Sequence, residues 1–289
     1  MTRPALAAAS AALGLLFAGC SSPDGKLESA NALRHQGRAA EALSIYREIL
    51  GELGDGTIPK WETGVRLKAL RFAADVSYLD LGDYNGAIGY YRRIVSLYPG
   101  TDEAWKARAA IGDIYAQRLG DRQAAIAQYA AVAGGDAKDA PRFQLLVARQ
   151  YLELKNYEQA RTEARLLRER WPQIPEADDA QLLTAQAWAL EDRPEEALGA
   201  FLAAAERRPR PEIVALALEG AAQIHARAGR LDKAIELYTQ AMPGHPNPEA
   251  LRTSIDMVRE RREAARTVTP GDRDAALDRN VPSRTKEIP

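Results

Sequence analysis

The chain has 289 residues, of which 46% are hydrophobic and 27% charged, an ordinary globular composition with ample material for a core. Its formal net charge of −1 gives no reason to expect a nucleic acid or an anionic membrane surface as a partner. The single cysteine excludes an internal disulfide and a thiolate metal site.

The first twenty residues predict a leader that directs the chain to a membrane. Arg3 supplies a positive start, and Ala5–Ala18 form an apolar run that is too short for a comfortable transmembrane helix. The run ends in Leu16-Phe17-Ala18-Gly19-Cys20, which resembles a bacterial lipobox, with Phe17 where an aliphatic residue is usual. The resemblance implies a signal peptide over residues 1–19, a lipidated Cys20 and a short linker through residue 26.

The location of the chain depends on how this leader is interpreted. Cys20 could instead lie at an ordinary signal-peptidase site, or the stretch could be a weak membrane anchor. Serines follow the cysteine, and in lipoproteins of double-membrane bacteria this resembles the pattern that is passed on to the outer membrane. We therefore expect a lipid anchor in the bacterial outer membrane, facing the periplasm, because two or three acyl chains hold a protein stably.

Six later segments repeat one pattern, a small residue followed four residues on by an aromatic ring or, in one copy, by another alanine. Because residues four apart lie on one face of a helix, each pair predicts a buried helical stripe. The pairs are Ala42/Tyr46, Ala87/Tyr91, Ala125/Tyr129, Ala160/Ala164, Ala197/Phe201 and Ala234/Tyr238. Successive copies begin between 35 and 45 residues apart, a period typical of solenoids of helix pairs.

The segment Gly82–Pro99 shows the physical logic of one copy. Gly82 accepts the left-handed conformation that ends a helix, and Asp83 favours the start of the next helix. Ala87 lets two helix axes approach closely, and Tyr91 lies one turn further along the same face. Pro99 stops the second helix.

On these residues the chain resembles the tetratricopeptide-repeat (TPR) proteins over residues 27–246. The glycine that opens the turn is matched in four units and replaced in two, the residues in chain order being Gly37, Gly82, Gly120, Lys155, Asp192 and Gly229. The aromatic residue of the first helix is likewise matched in four units and replaced in two, by Leu33, Tyr78, Tyr115, Tyr151, Trp188 and His225. The third unit carries one extra residue before its turn. The resemblance implies an all-α, right-handed solenoid of about six helix-turn-helix repeats.

The end of the chain predicts a cap and a tail. Residues 247–267 form a helix in this prediction, with Leu251, Ile255 and Val258 on one side, and it caps the open end of the solenoid. Its arginines could alternatively form a basic docking surface, although a charge run is usually a solvated face. Residues 268–289 have almost no apolar content, which predicts a disordered tail.

The sequence contains no pattern that favours catalysis. His35, His225 and His245 have no metal-ligand spacing, and none pairs with a serine in a nucleophile elbow. The chain also lacks a phosphate-binding glycine loop followed by lysine and an HExxH motif. We therefore expect no enzyme activity, no cofactor, no bound metal and no small-molecule substrate.

Binding is the function that remains, and TPR-like solenoids offer a concave face lined by their first helices. The register predicts a groove for a protein or peptide partner at Phe72, Val76, Leu79, Lys106, Asp113, Arg142, Leu145, Arg149, Leu182 and Gln186. Its mixture of apolar and cationic groups suits an extended peptide or a helix with acidic positions. Alternatively, Phe72, Val76 and Leu79 cover the first unit's helices and leave no special groove there.

The sequence thus favours a membrane-anchored periplasmic scaffold that binds partner proteins for cell-envelope assembly. A narrower alternative is the TPR lipoprotein of the outer-membrane β-barrel assembly machinery, which the chain resembles in its lipobox and in Tyr98-Pro99 and Trp171-Pro172. Adaptors for cell-wall hydrolases, pilus assembly or export belong to the same broad class. A purely structural spacer is the remaining alternative.

Overall fold

The computed structural model describes residues 22–54, 60–207 and 210–267. In this part of the chain, thirteen α-helices follow one another without a β-strand. The helices are α1 Pro23–His35, α2 Ala39–Leu53, α3 Lys60–Asp75, α4 Tyr84–Leu97, α5 Asp102–Ile114, α6 Arg122–Ala133, α7 Ala140–Glu153, α8 Tyr157–Arg170, α9 Pro175–Leu190, α10 Pro194–Glu206, α11 Pro211–Arg227, α12 Leu231–Ala241 and α13 Pro248–Thr267. They form the six predicted helix pairs and the predicted C-terminal helix, so the all-α repeat fold is confirmed.

The chain divides into two compact units, with the boundary inside α7 between Phe143 and Gln144. The first unit buries one apolar cluster that runs from Leu27 to Ile114. The second unit buries two clusters, one built mainly from α7, α8 and α9 and one from α9 to α13. In each unit the repeats bury apolar side chains against their neighbours, as the repeat pattern requires.

The small residue and the ring of each repeated pair lie in these cores. The six first alanines of the pairs are fully buried, and each of the five rings is at most 7% exposed. In the fourth pair, Ala160 and Ala164 are both fully buried, so two small residues replace a small residue and a ring. The predicted helical stripe is therefore the surface on which the helices pack.

The turns between paired helices share one conformation. The predicted glycines Gly37, Gly82, Gly120 and Gly229 all have positive φ angles. Lys155 and Asp192, which replace glycine in the fourth and fifth repeats, adopt the same left-handed conformation at 58° and 59°. The turn geometry is thus kept where the glycine is missing, at the steric cost of a side chain in the left-handed region.

The second and third repeats widen the end of the first helix into a π-helical turn, at Val76–Asp80 and Tyr115–Leu119. Here a backbone N–H donates to a carbonyl six residues earlier, from Asp83 to Ser77 and from Asp121 to Tyr115. The other four repeats close this bond over five residues, as from Asn156 to Tyr151. The extra residue predicted for the third repeat is therefore present.

The second repeat carries the same extra residue, which the sequence prediction missed. The carbonyl that accepts the turn hydrogen bond belongs to the first-helix aromatic residue in the third and fourth repeats, Tyr115 and Tyr151, but to buried Ser77 in the second repeat. Ser77, rather than Tyr78, therefore occupies the position of the first-helix aromatic. The alignment of Tyr78 with that position is thus wrong by one residue. The reason is that a π-helical turn inserts a residue without changing the turn that follows it.

The first helix begins earlier than the sequence prediction placed it. Ser22 is its N-cap and accepts a hydrogen bond from the Gly25 N–H at 3.2 Å, while Pro23 occupies the first turn. A serine cap followed by proline starts a helix well, so the linker predicted through residue 26 is wrong from Pro23 onward. The predicted signal peptide, Cys20 and the predicted tail of residues 268–289 lie outside the described residues.

The last helix packs against α12 through its apolar side. Leu251, Ile255 and Val258 are buried, as predicted, and Arg262 donates to Asp232 at 2.9 Å. The helix therefore covers the end of the last repeat, which is the role of a cap. Within the described residues, none of the helices combines the length and the apolar content that crossing a membrane requires.

Candidate partner-binding site

The first unit contains a cleft of about 440 Å³ beside α5 and the start of α7, which we call the α5–α7 cleft. It brings together three residues of the predicted groove, Lys106, Asp113 and Arg142. The complete lining is Asp102, Trp105, Lys106, Ala109, Ala110, Asp113, Val132, Ala137, Lys138, Asp139, Arg142 and Phe143. Three cations and three carboxylates therefore surround an apolar and aromatic floor.

Asp113 holds this cleft together rather than projecting freely into it. Its carboxylate accepts a hydrogen bond from the Tyr129 hydroxyl at 2.6 Å. Burial, followed by this bond, raises the pKa of the Tyr129 phenol, which stays protonated and keeps donating. Lys106 and Arg142 are exposed, so they are the groups that a partner can reach.

The second unit contains a cleft of about 410 Å³ lined by the first helices of three repeats, which we call the α7–α9–α11 cleft. It brings together Arg149, Leu182 and Gln186 from the predicted groove. The complete lining is Arg149, Leu152, Glu153, Asp179, Leu182, Leu183, Gln186, Arg210, Glu212, Ile213 and Leu216. Its floor is apolar, because Leu182, Leu183 and Ile213 are buried core residues.

Charged groups on the rim of the α7–α9–α11 cleft centre on Asp179. The Arg210 guanidinium lies 2.5 Å from this carboxylate, and the Arg149 guanidinium lies 3.8 Å from it. Arg149 is 53% exposed at its side chain, and such solvated ion pairs are worth at most about 1 kcal/mol. Arg149 can therefore exchange its contact with Asp179 for a partner's carboxylate at little cost.

The remaining four residues of the predicted groove do not form one surface. Val76 is fully buried and Leu145 nearly so, and their assignment to the groove is wrong because their side chains pack inside the cores. Phe72 is half-buried, with its ring 5.9 Å from the ring of Tyr46. The alternative that these residues cover the first repeat therefore holds for Val76 and Phe72, whereas Leu79 is 64% exposed.

Sequence reasoning missed several residues that line the two clefts. Trp105, Lys138, Asp179 and Arg210 were not predicted, although they lie beside predicted residues. Arg149, Asp179 and Arg210 are 30 and 31 residues apart, which is shorter than the repeat period, so the repeat register does not bring them together. Trp105 is harder to predict, because the position of its ring depends on a glycine distant in the sequence. A Cβ at Gly135 would lie only 2.5 Å from the Trp105 ring.

Among the described residues, no group of three or more histidine, cysteine, aspartate and glutamate side chains could hold a metal ion. A third cleft, of about 620 Å³, is lined by α10 and the end of α11, including Leu198, Leu202 and Ile224. None of the predicted groove residues lines it.

Comparison with known proteins identifies the repeats. Three models described as tetratricopeptide repeat match residues 67–111, 145–212 and 217–250. No curated protein sequence matches the chain.

Among solved structures, the C-terminal part of a TPR protein from Cytophaga hutchinsonii aligns at 15% identity and a TM-score of 0.52 over 75% of this chain and 78% of that chain. The apo form of RapI aligns at 13% identity and a TM-score of 0.53 over 84% and 72% of the two chains. PilW, a type IV pilus biogenesis factor, aligns at 16% identity and a TM-score of 0.48 over 81% and 98%. At these identities the likeness shows the fold alone.

Proposed function

Because the chain belongs to the tetratricopeptide-repeat proteins, we propose that it is a membrane-anchored scaffold that binds segments of partner proteins during cell-envelope assembly. The observation that carries this proposal is the α7–α9–α11 cleft. There, Arg149 on α7 and Arg210 at the N-cap of α11 lie exposed beside a buried aliphatic floor. This arrangement suits an apolar side chain and an adjacent carboxylate of a partner.

The binding mode follows from the lining of the cleft. An aliphatic side chain of the partner would cover Leu182 and Leu183, which supply the apolar contact. A neighbouring carboxylate would pair with Arg149, whose planar guanidinium can hold it through two hydrogen bonds. Gln186 would contact the partner's backbone, since an amide both donates and accepts. The α5–α7 cleft offers the same classes of group through Trp105 and Arg142 in the first unit.

The proposed location depends on Cys20. The lipobox-like sequence that ends at this residue supports diacylation and anchoring in the outer membrane. Two or three acyl chains anchor a protein stably, so the scaffold would remain at the membrane while its clefts bind partner proteins.

The groove is tested by crosslinking in intact cells, followed by pull-down of the tagged chain and mass spectrometry of the recovered proteins. We expect Arg149→Glu to reduce recovery of a partner at least fivefold. The matched control is Arg165→Glu on α8, because Arg165 is 57% exposed and pairs only with Glu169 among the described residues. Equal recovery with both variants would refute the groove, and an empty pull-down would favour the structural spacer.

The identity of the recovered proteins separates the envelope machines. Components of the β-barrel assembly machinery would place the chain there, whereas wall hydrolases, pilus proteins or export proteins would make it an adaptor for those machines. The anchor is tested separately by Cys20→Ser, which should abolish incorporation of labelled palmitate and release the chain from the membrane fraction. Retention of the variant in that fraction would contradict lipidation.

A further inference from the structure

The third cleft, of about 620 Å³, lies within the second unit, and we call it the α10–α11 cleft. Its floor is aliphatic, because Leu198 and Leu202 of α10 line it together with Ile224 of α11. Ile224 is buried, whereas Leu198 and Leu202 are half-buried and leave apolar surface open. The floor therefore suits an aliphatic side chain of a bound segment.

Both signs of charge are present at the rim of the α10–α11 cleft. Asp192 and Glu195 supply carboxylates where α9 turns into α10. Arg227 and Arg230 supply guanidinium groups where α11 turns into α12. All four residues are exposed. A segment complements this rim when acidic and basic side chains flank its apolar residue.

The last helix, α13, ends near this rim. Its Arg262 donates to Asp232 in the first turn of α12 at 2.9 Å, and Asp232 follows Arg230 of the rim by two residues. The helix ends at Thr267, about 8 Å further along its axis. The chain from Thr267 to Ala275 can extend up to about 28 Å, which is long enough to reach the cleft.

The sequence of the tail matches the cleft in both apolar and charged groups. Its longest apolar run is formed by residues 275–277, which end in a leucine. Asp274 and Asp278 flank this run directly, and Arg273 and Arg279 lie one residue further out. The acids complement the guanidinium groups of the rim, and the arginines complement its carboxylates. The tail has too few apolar residues to build a core, but burying one leucine in an existing cleft needs none.

We propose that residues 273–279 dock in the α10–α11 cleft of the same chain, with Leu277 on the aliphatic floor. So short a connection to α13 holds the segment at an effective concentration on the order of millimolar, so weak contacts suffice for occupancy. The docked segment ties the end of α13 to the α10–α11 pair and excludes other ligands from the cleft. The inference depends neither on the proposed anchor nor on the α7–α9–α11 cleft.

The test is disulfide trapping in the full chain carrying Cys20→Ser, so that two introduced cysteines are its thiols. One is Ala276→Cys in the tail. The other is Gly199→Cys, because Gly199 lines the cleft and an added Cβ there would meet nothing within 4 Å. We expect the disulfide to form within one chain, at a rate that does not depend on protein concentration.

The matched control replaces Gly199→Cys by Lys233→Cys. Lys233 is exposed, does not line the cleft and adjoins Asp232, the contact of α13, so a tail that does not dock would reach it at least as easily. We expect the Gly199 pair to form its disulfide at least tenfold faster than the Lys233 pair. Equal rates would show random collision and overturn docking, and a disulfide between chains would assign the cleft to a second copy and overturn it too.

Charge pairing and the apolar contact are tested in the Gly199 pair. Arg227→Glu and Leu277→Asp should each slow trapping at least threefold, whereas Arg165→Glu on α8 should leave the rate unchanged. If neither of the first two changes slows trapping, or if Arg165→Glu slows it equally, the proposed contacts are wrong.

Discussion

Replacing Lys155 by glycine should stabilise the protein. Lys155 has a φ of 58° at a turn where four other repeats have glycine, and its side chain is exposed. A non-glycine residue in the left-handed region costs about 1–2 kcal/mol. Glycine avoids this cost but loses about 0.5–1 kcal/mol through the greater freedom of the unfolded chain. We therefore expect Lys155→Gly to raise the free energy of unfolding by about 0.5–1 kcal/mol.

The measurement is urea unfolding followed by far-ultraviolet circular dichroism, with thermal unfolding as a second readout. A gain of this size corresponds to about 1–4 °C in Tm. Asp192→Gly should gain less, because aspartate tolerates the left-handed region better than lysine does. The control is Lys106→Gly, an exposed position inside α5, which should lose about 1 kcal/mol. If Lys155→Gly destabilises as much as this control, the strain argument is wrong.

Three further changes test the packing and the titration of the repeats. Tyr129→Phe removes the hydrogen bond to Asp113 and should cost about 1–3 kcal/mol in urea unfolding, whereas an unchanged midpoint would show that the bond adds nothing. Gly220→Ala places a Cβ 2.4 Å from the Phe201 ring and should cost about 1–3 kcal/mol, with partial recovery on adding Phe201→Leu. Burial and two nearby cations lower the pKa of His225 from 6.5, so stability should fall as pH drops below that value, since the unfolded state gains the proton at a higher pH than the folded state does. His225→Tyr should flatten this dependence in Tm measured from pH 7.5 to 5, and an unchanged slope would argue against it.

Sequence patterning predicted the packing of the repeats well, because the relevant signals are local. Ala87 and Tyr91 are four residues apart, and their spacing alone places them on one helical face that is buried. The turns were equally predictable, since a break between two helical stripes must contain a residue that tolerates positive φ. This holds even at Lys155, where the residue type disagrees and the register still locates the turn.

The start of α1 and the π-helical turn of the second repeat were missed because each depends on a choice between two locally acceptable structures. Ser22-Pro23 can extend a linker or cap a helix, and the contacts of Lys26 with α2 favour the cap. A first helix can close over five or six residues before its turn. In the second repeat Asp75 accepts a hydrogen bond from the Tyr91 hydroxyl at 2.7 Å, and this contact joins two helices. Such tertiary contacts cannot be read from periodicity.

The candidate groove also shows what sequence periodicity cannot predict. Arg149, Leu182 and Gln186 were predicted from register and share one cleft, because each projects from a first helix. Val76 was predicted by the same register but is fully buried, in the π-helical turn that shifts its helix by one residue. One inserted residue turns a helical side chain by about 100°, enough to exchange a groove position for a core position. The third repeat supports this explanation, because its extra residue was predicted and its groove residues Lys106 and Asp113 line a cleft.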